Sequence, residues 1–166
     1  IIIEMGKNLL NLEIISRIVQ ENPTIDISKL NSEVDLWGEY ISVIKIREGN
    51  HGDAILSEAI KLATLGIQAE DRSFTLDVSR PLEQQRLESW KIIVRDYGRV
   101  YRFHHEKLQD YLYAFDATER GLTKDDVINE LGDTHRTRNI YLMMRDIYER
   151  NTPSRLPQYL REAWNV

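Results

Sequence analysis

Residues 91–114 read KIIVRDYGRVYRFHHEKLQDYLYA, and this stretch decides the fold. Its first half is rich in β-branched and aromatic residues on both sides of Tyr97-Gly98, where glycine can supply the positive φ of a tight turn. The apolar positions that follow have the i, i+3, i+4, i+7 spacing of one helix face: Leu108, Tyr111, Leu112 and Phe115. The stretch therefore predicts a β-hairpin followed directly by an amphipathic helix whose apolar face lies in the core.

Two helix patterns precede this hairpin. Asp53 is predicted to cap a helix that ends near Gly66. Ser79 with Pro81 marks the start of another helix, which runs to about Trp90, because proline is tolerated in the first turn. Helix, helix, hairpin and helix is the order of a winged helix. The sequence thus predicts a winged-helix domain at residues 51–120.

A helical domain is predicted at residues 1–50. Apolar positions form a broad helical face from Asn8 to Gln20, and Asn22-Pro23 ends this helix because proline disfavours a helical residue before it. A narrower apolar stripe then marks a second, long helix: Leu30, Val34, Trp37, Ile41 and Ile44. Trp37 is expected in the core. Residues 48–52 hold glycines and no apolar residue, so they predict a loop at the domain boundary.

Residues 121–166 are predicted to begin a C-terminal helical arm. Thr123 and Asp126 have the spacing of a capping box at the start of a short helix. A longer helix is predicted over His135–Arg150, and a final one from Ser154 to Trp164. The fold class is therefore mainly α, with a helical domain, a winged helix carrying a β-hairpin wing, and a short helical array.

Composition narrows the classes of function. The 166 residues carry a formal charge of −5, which argues against whole-surface attraction to nucleic acid or to an anionic membrane. No apolar run approaches the roughly 18 residues that span a bilayer, and no signal peptide is recognisable. The absence of cysteine excludes disulfides and thiol chemistry. We expect a cytoplasmic protein, and the start at Ile1–Ile3 without Met indicates a piece of a longer chain.

The segment Phe103–Ala114 resembles the F-x-H-x-x-[FL]-Q-[DE]-[FY]-[LF]-x-A signature of the winged-helix domain in NACHT-type STAND NTPases. The matching positions are Phe103, His105, Leu108, Gln109, Asp110, Tyr111, Leu112 and Ala114. Two upstream segments, Asn8–Ile15 and Leu36–Ile41, look like segments of the helical domain that follows the NACHT core. Leu9 stands where the family usually has a proline that packs near the nucleotide base, so this departure argues against an adenine contact at Leu9. Trp37 stands where Tyr is common in the family.

This resemblance implies a nucleotide-dependent switch. In the family, the winged-helix histidine contacts the phosphates of bound ADP and holds the protein closed, and this histidine corresponds to His105. The implied partners are an upstream core of the same chain, which would bind ATP or ADP with magnesium, and further copies of the protein in an active homo-oligomer. Such proteins act in innate immunity, programmed cell death and bacterial defence against phage.

No catalytic residue is predicted in this sequence. A nucleotide hydrolase needs a glycine-rich phosphate loop, and Gly6-Lys7-Asn8 lacks both the earlier glycine and the following Ser or Thr. We therefore expect no enzyme activity and no cofactor for these residues alone. No metal site is expected either, because adjacent histidines such as His104 and His105 on a helix point about 100° apart. His105 itself is expected to be partly exposed.

Two alternatives stay open beside the regulatory module. A winged helix can bind DNA with a recognition helix and a wing. Residues 91–107 carry five basic and two acidic side chains, but the candidate recognition helix from Pro81 to Trp90 has Arg86 against Glu83 and Glu88. Nucleic acid is therefore not the expected partner. The other alternative is an unrelated helical protein-interaction module, in which His105 only begins a helix.

Overall fold

The computed structural model describes residues 9–151 and confirms the mainly α fold with a β-hairpin. Two compact units divide between Ser57 and Glu58. The predicted domain boundaries at residues 50 and 120 stay predictions. The Gly6-Lys7-Asn8 segment and the predicted final helix from Ser154 lie outside the described residues.

The first unit contains helices α1 (Leu9–Glu21) and α2 (Glu33–Glu48), which pack against each other. A short 3-10 turn at Ile27–Lys29 lies between them. Helix α2 begins as its sequence requires, because the Ser32 side chain accepts a hydrogen bond from the Asp35 backbone N–H at 3.1 Å. The predicted apolar stripe, Trp37 included, is buried. Both predicted helices are confirmed, but the second begins at Glu33, three residues after Leu30, which lies at the end of the 3-10 turn instead.

Helix α3 (Gly52–Gln68) begins before Asp53, so the predicted N-cap is wrong. The Asp53 carboxylate instead lies 2.7 Å from the Lys45 ammonium group. The predicted loop before α3 contains a 3-10 turn at Gly49–His51. Only the three residues after Glu48 thus separate α2 from α3.

A three-stranded antiparallel sheet follows α3 in the second unit. Strand β1 (Phe74–Thr75) precedes helix α4 (Pro81–Ser89), and β2 (Ile93–Tyr97) and β3 (Val100–Phe103) then form the hairpin. The strand order is β1-β3-β2, with β3 in the centre. At the hairpin turn Gly98 has φ +55°, the left-handed conformation that favours glycine. The predicted hairpin and the start of α4 at proline are confirmed.

Three more helices complete the described chain: α5 (Glu106–Glu119), α6 (Lys124–Leu131) and α7 (His135–Asn151). Helix α7 packs along α5 and also contacts α6. The predicted capping box is present, because Thr123 and Asp126 each accept a hydrogen bond from the other's backbone N–H. Leu108, Tyr111 and Leu112 are buried as predicted. Across residues 9–151, no helix combines the length and the apolar character needed to cross a membrane.

Candidate functional site at the start of helix α5

His105 lies at the junction between strand β3 and helix α5. It is the N-cap residue, with the extended backbone angles φ −125° and ψ 115°. Its carbonyl oxygen accepts the first hydrogen bonds of the helix, from the backbone N–H groups of Leu108 at 3.1 Å and Gln109 at 3.2 Å. The predicted position of His105 inside the first turn is therefore off by one residue, and the imidazole makes no capping hydrogen bond.

The His105 side chain is buried, with 2% of its surface exposed, so the expectation of partial exposure is wrong. An extended N-cap residue continues the strand, and Tyr101 and Phe103 are buried in the same alternation. His104 is exposed, as Arg102 is. The junction thus buries every second residue up to the start of the helix.

The two adjacent histidines are closer than a helical geometry would place them. Neither His104 nor His105 belongs to α5, and their ring centroids lie 4.2 Å apart with the planes tilted by 51°. The argument that helical rotation separates the two imidazoles by about 100° therefore does not apply. Replacing either ring therefore removes a contact of the other.

An ion pair lies beside the first turn of α5. Glu106 is the first residue of the helix, and its carboxylate is 2.6 Å from the Arg72 guanidinium group. An acidic side chain is favourable at this end because the N-terminal N–H groups carry partial positive charge. The Glu106 side chain is mostly exposed, so the pair contributes at most about 1 kcal/mol to stability. It fixes the segment after α3 against the start of α5.

Gln109, one turn further along, is buried and bonded to two other helices. Its side-chain N–H₂ group donates to the carbonyl of Ala63 in α3 at 3.4 Å. Its side-chain oxygen accepts from the guanidinium group of Arg136 in α7 at 3.3 Å. A buried amide is stable only when its donors and acceptors are satisfied, and these two bonds satisfy both ends of the group.

Asp110 forms a largely buried ion pair with the same arginine. Its carboxylate oxygen lies 2.6 Å from Arg136 Nη2 and accepts from Arg136 Nε at 2.8 Å. Burial raises the pKa of Asp110, and the positive charge of Arg136 offsets only part of this effect. Arg136 was not foreseen from the sequence, because it is 26 residues from Asp110 and its helix gave no sign of a partner.

Every residue that matches the motif is buried: Phe103, His105, Leu108, Gln109, Asp110, Tyr111, Leu112 and Ala114. At the positions where the motif leaves the residue type open, His104, Glu106 and Lys107 are exposed and only Tyr113 is buried. The apolar matches are what any core helix shows. The buried His105, Gln109 and Asp110 are the unusual members, because these residue types are mostly exposed or only partly buried.

The surface predicted for the DNA-binding alternative lies on α4 and the hairpin. On α4, Arg86 and Glu88 are exposed and Glu83 is half-buried. On the hairpin, the Arg95 guanidinium group donates to the Tyr101 hydroxyl at 2.7 and 3.0 Å and covers its ring. The Tyr101 hydroxyl is neutral, so Arg95 keeps its positive charge, and it remains exposed on the hairpin.

No protein-family model, curated protein or solved structure matches this chain.

Proposed function

We propose that this chain is the regulatory winged-helix and helical region of a NACHT-type STAND signalling NTPase. In this role it controls nucleotide-dependent autoinhibition and oligomerisation of a cytoplasmic protein, in innate immunity or antiphage defence. ATP or ADP with magnesium binds to an upstream core of the same chain, and the active form is a homo-oligomer. His105 senses the terminal phosphate of the bound diphosphate.

One observation carries the proposal. The polar residues that the motif specifies, His105, Gln109 and Asp110, are each buried at the β3–α5 junction or in the first turns of α5, whereas three of the four unspecified positions are exposed. Gln109 and Asp110 regain hydrogen bonds from Arg136, and Gln109 also bonds to Ala63, which offsets part of the hydration they lose on burial. The motif match supports a sensing role for His105 in addition to this structural role of its neighbours.

The chemistry of an imidazole suits a phosphate sensor. Either ring nitrogen can donate an N–H to a phosphate oxygen, and the charged form adds electrostatic attraction. The first backbone N–H groups of α5 lie next to His105 and favour negative charge. Because His105 is buried, its contact with a nucleotide requires a small rearrangement of the β3–α5 junction when the core binds. In the proposed sensing state, the His105 ring is therefore more exposed than it is in this structure.

The test uses the longer protein that contains the proposed core. In His105→Asn, the asparagine preserves a favourable N-cap but removes the imidazole, so α5 should still begin at Glu106. We expect less ADP to co-purify, faster dissociation of a fluorescent ADP analogue, and oligomers in the absence of a signal. Light scattering after size-exclusion chromatography measures the oligomers.

His51→Asn is the matched control, because His51 is an exposed histidine in the first unit. It should retain ADP and stay monomeric under the same conditions. Normal ADP retention and normal autoinhibition in a folded His105→Asn protein would contradict the proposal. His105 would then be a structural N-cap, and the chain a helical interaction module.

A further inference from the structure

Gln109 connects three elements of the second unit through hydrogen bonds. Its backbone N–H donates to the His105 carbonyl at 3.2 Å, its side-chain N–H₂ group to Ala63 in α3, and its side-chain oxygen accepts from Arg136 in α7. A displacement of Arg136 therefore acts on a residue whose own backbone holds the His105 carbonyl. Gln109 thus links the Arg136 side chain directly to the backbone of His105.

The Gln109 side chain has little room to adjust. Only 1% of the residue is exposed, and Gly66 on α3 lies so close that a Cβ there would overlap the Gln109 side-chain nitrogen. Buried side chains in a closely packed interior move between discrete arrangements rather than by small continuous shifts. The loss of one Gln109 bond is thus transmitted to the other two instead of being absorbed locally.

Arg136 is held in place by α5 rather than by its own helix. It lies in the first turn of α7, where the helix dipole disfavours a positive charge. Its bonds to Asp110 and Gln109 offset this cost. Movement of the start of α7 away from α5 breaks both bonds together and leaves the Asp110 carboxylate largely buried without this cation, which is strongly unfavourable. The two helices are therefore either joined or separated at this point.

We propose that Gln109 is a coupling residue through which the position of helix α7 regulates the His105 site. When Arg136 is bonded, Gln109 is fixed between α3 and α7, and its backbone holds His105 in the buried N-cap position. When α7 moves, Gln109 is released and the β3–α5 junction loosens. The meaning of this coupling for nucleotide sensing rests on the proposed function, but the coupling itself does not.

The experiment compares imidazole signals by NMR in this chain with and without the Arg136 bonds. In Arg136→Met, we expect the His105 ring signals to shift and to broaden. The amide protons of Leu108 and Gln109, which are bonded to the His105 carbonyl, should exchange roughly tenfold faster. The His51 signal is the internal reference within the same sample.

Three further variants keep the test decisive. Arg138→Met removes an exposed arginine two residues along α7, and it should leave His105 unchanged. Gly66→Ala perturbs Gln109 from the α3 side, and it should shift the His105 signals as well. If Arg136→Met does not fold, Arg136→Lys retains a cation beside Asp110 while losing the simultaneous guanidinium bonds to Asp110 and Gln109, and it should give a smaller shift in the same direction.

Unchanged His105 signals and unchanged Leu108 and Gln109 exchange in the folded variants would overturn the coupling. An equal response in Arg138→Met would overturn it as well. None of these measurements involves a nucleotide, so their failure leaves the ADP-retention test of the proposed function intact. Conversely, shifted His105 signals combined with normal ADP retention in His105→Asn would retain the coupling and reject nucleotide sensing.

Discussion

Tyr113 on α5 donates its hydroxyl hydrogen to the Glu130 carboxylate on α6 at 2.6 Å. Arg120, at the end of α5, lies 3.3 Å from the same carboxylate. Burial, and then the hydrogen bond to Glu130, raise the pKa of Tyr113 well above its usual value. The hydroxyl thus stays protonated as a donor to a charged acceptor, and it connects two helices that are adjacent in sequence.

Tyr113→Phe should therefore lower the free energy of unfolding by about 1.5–3 kcal/mol, the range for a hydrogen bond to a charged group. Chemical denaturation monitored by circular dichroism measures the change. Tyr97→Phe is the matched control, because Tyr97 is exposed at the hairpin turn and should change stability by less than about 0.5 kcal/mol. Equal effects of the two substitutions would mean that the Glu130 bond contributes nothing.

Leu112→Ala should destabilise the protein by about 2–5 kcal/mol, because it removes a fully buried side chain from α5 and leaves a cavity. A thermal melt followed by circular dichroism is sufficient to detect this loss. Val78→Ala truncates a side chain that is 83% exposed, so its melting temperature should match that of the unchanged protein. An unchanged melting temperature for Leu112→Ala would contradict the assignment of this face to the core.

Asp110→Asn should change how stability depends on pH. Because the pKa of Asp110 is raised in the folded protein, the contribution of this carboxyl is greatest below about pH 4, where it is protonated in both states. That contribution declines as pH rises through the raised pKa. The unfolding free energy of the unchanged protein minus that of Asp110→Asn should thus decrease as pH rises from below the unfolded pKa, about 4, through the raised folded pKa.

Asp126→Asn provides a comparison of opposite sign. Hydrogen bonds from Thr123 lower the pKa of Asp126, so this carboxylate stabilises the folded state above its unfolded pKa and ceases to do so as pH falls through the folded pKa. The corresponding difference in unfolding free energy should increase with pH. If both differences in unfolding free energy changed with pH in the same direction, the direction assigned to one of these two pKa shifts would be contradicted.

Duplex DNA should not bind this chain specifically at physiological salt. The net charge of −5 and the acidic residues of α4, Glu83 and Glu88, disfavour phosphate contacts. A gel shift with mixed duplexes at sub-micromolar protein tests this expectation. Sequence-selective binding that weakens as salt rises would instead support the transcription-regulator alternative.

Elements specified by local patterns were predictable from the sequence. The Thr123–Asp126 capping box, proline at the start of α4 and glycine in the hairpin turn each act within a few residues, so their geometry follows from residue type. Strand β1 was missed because it has only two residues and exists through its pairing with β3, in which Phe74 lies opposite Tyr101, 27 residues later. Such a pairing leaves no periodic signal.

The candidate site was predictable only in part. The motif identified His105, Gln109 and Asp110, but their burial was not foreseen, since polar residues are exposed by default. The partners Arg136 and Ala63 lie far along the chain, and tertiary packing alone brings them to Gln109. The error over His105 arose from placing it in the helix, whereas its extended backbone belongs to the end of the strand.

The burial of His105 makes it chemically distinct from the other three histidines of the chain. His51, His104 and His135 are exposed, so a histidine-directed acylating reagent should modify them quickly and His105 slowly. Peptide mass spectrometry can resolve the labelling of each ring. Because a buried ring reacts only when its surroundings open, the labelling rate of His105 measures how often the β3–α5 junction opens in the resting protein.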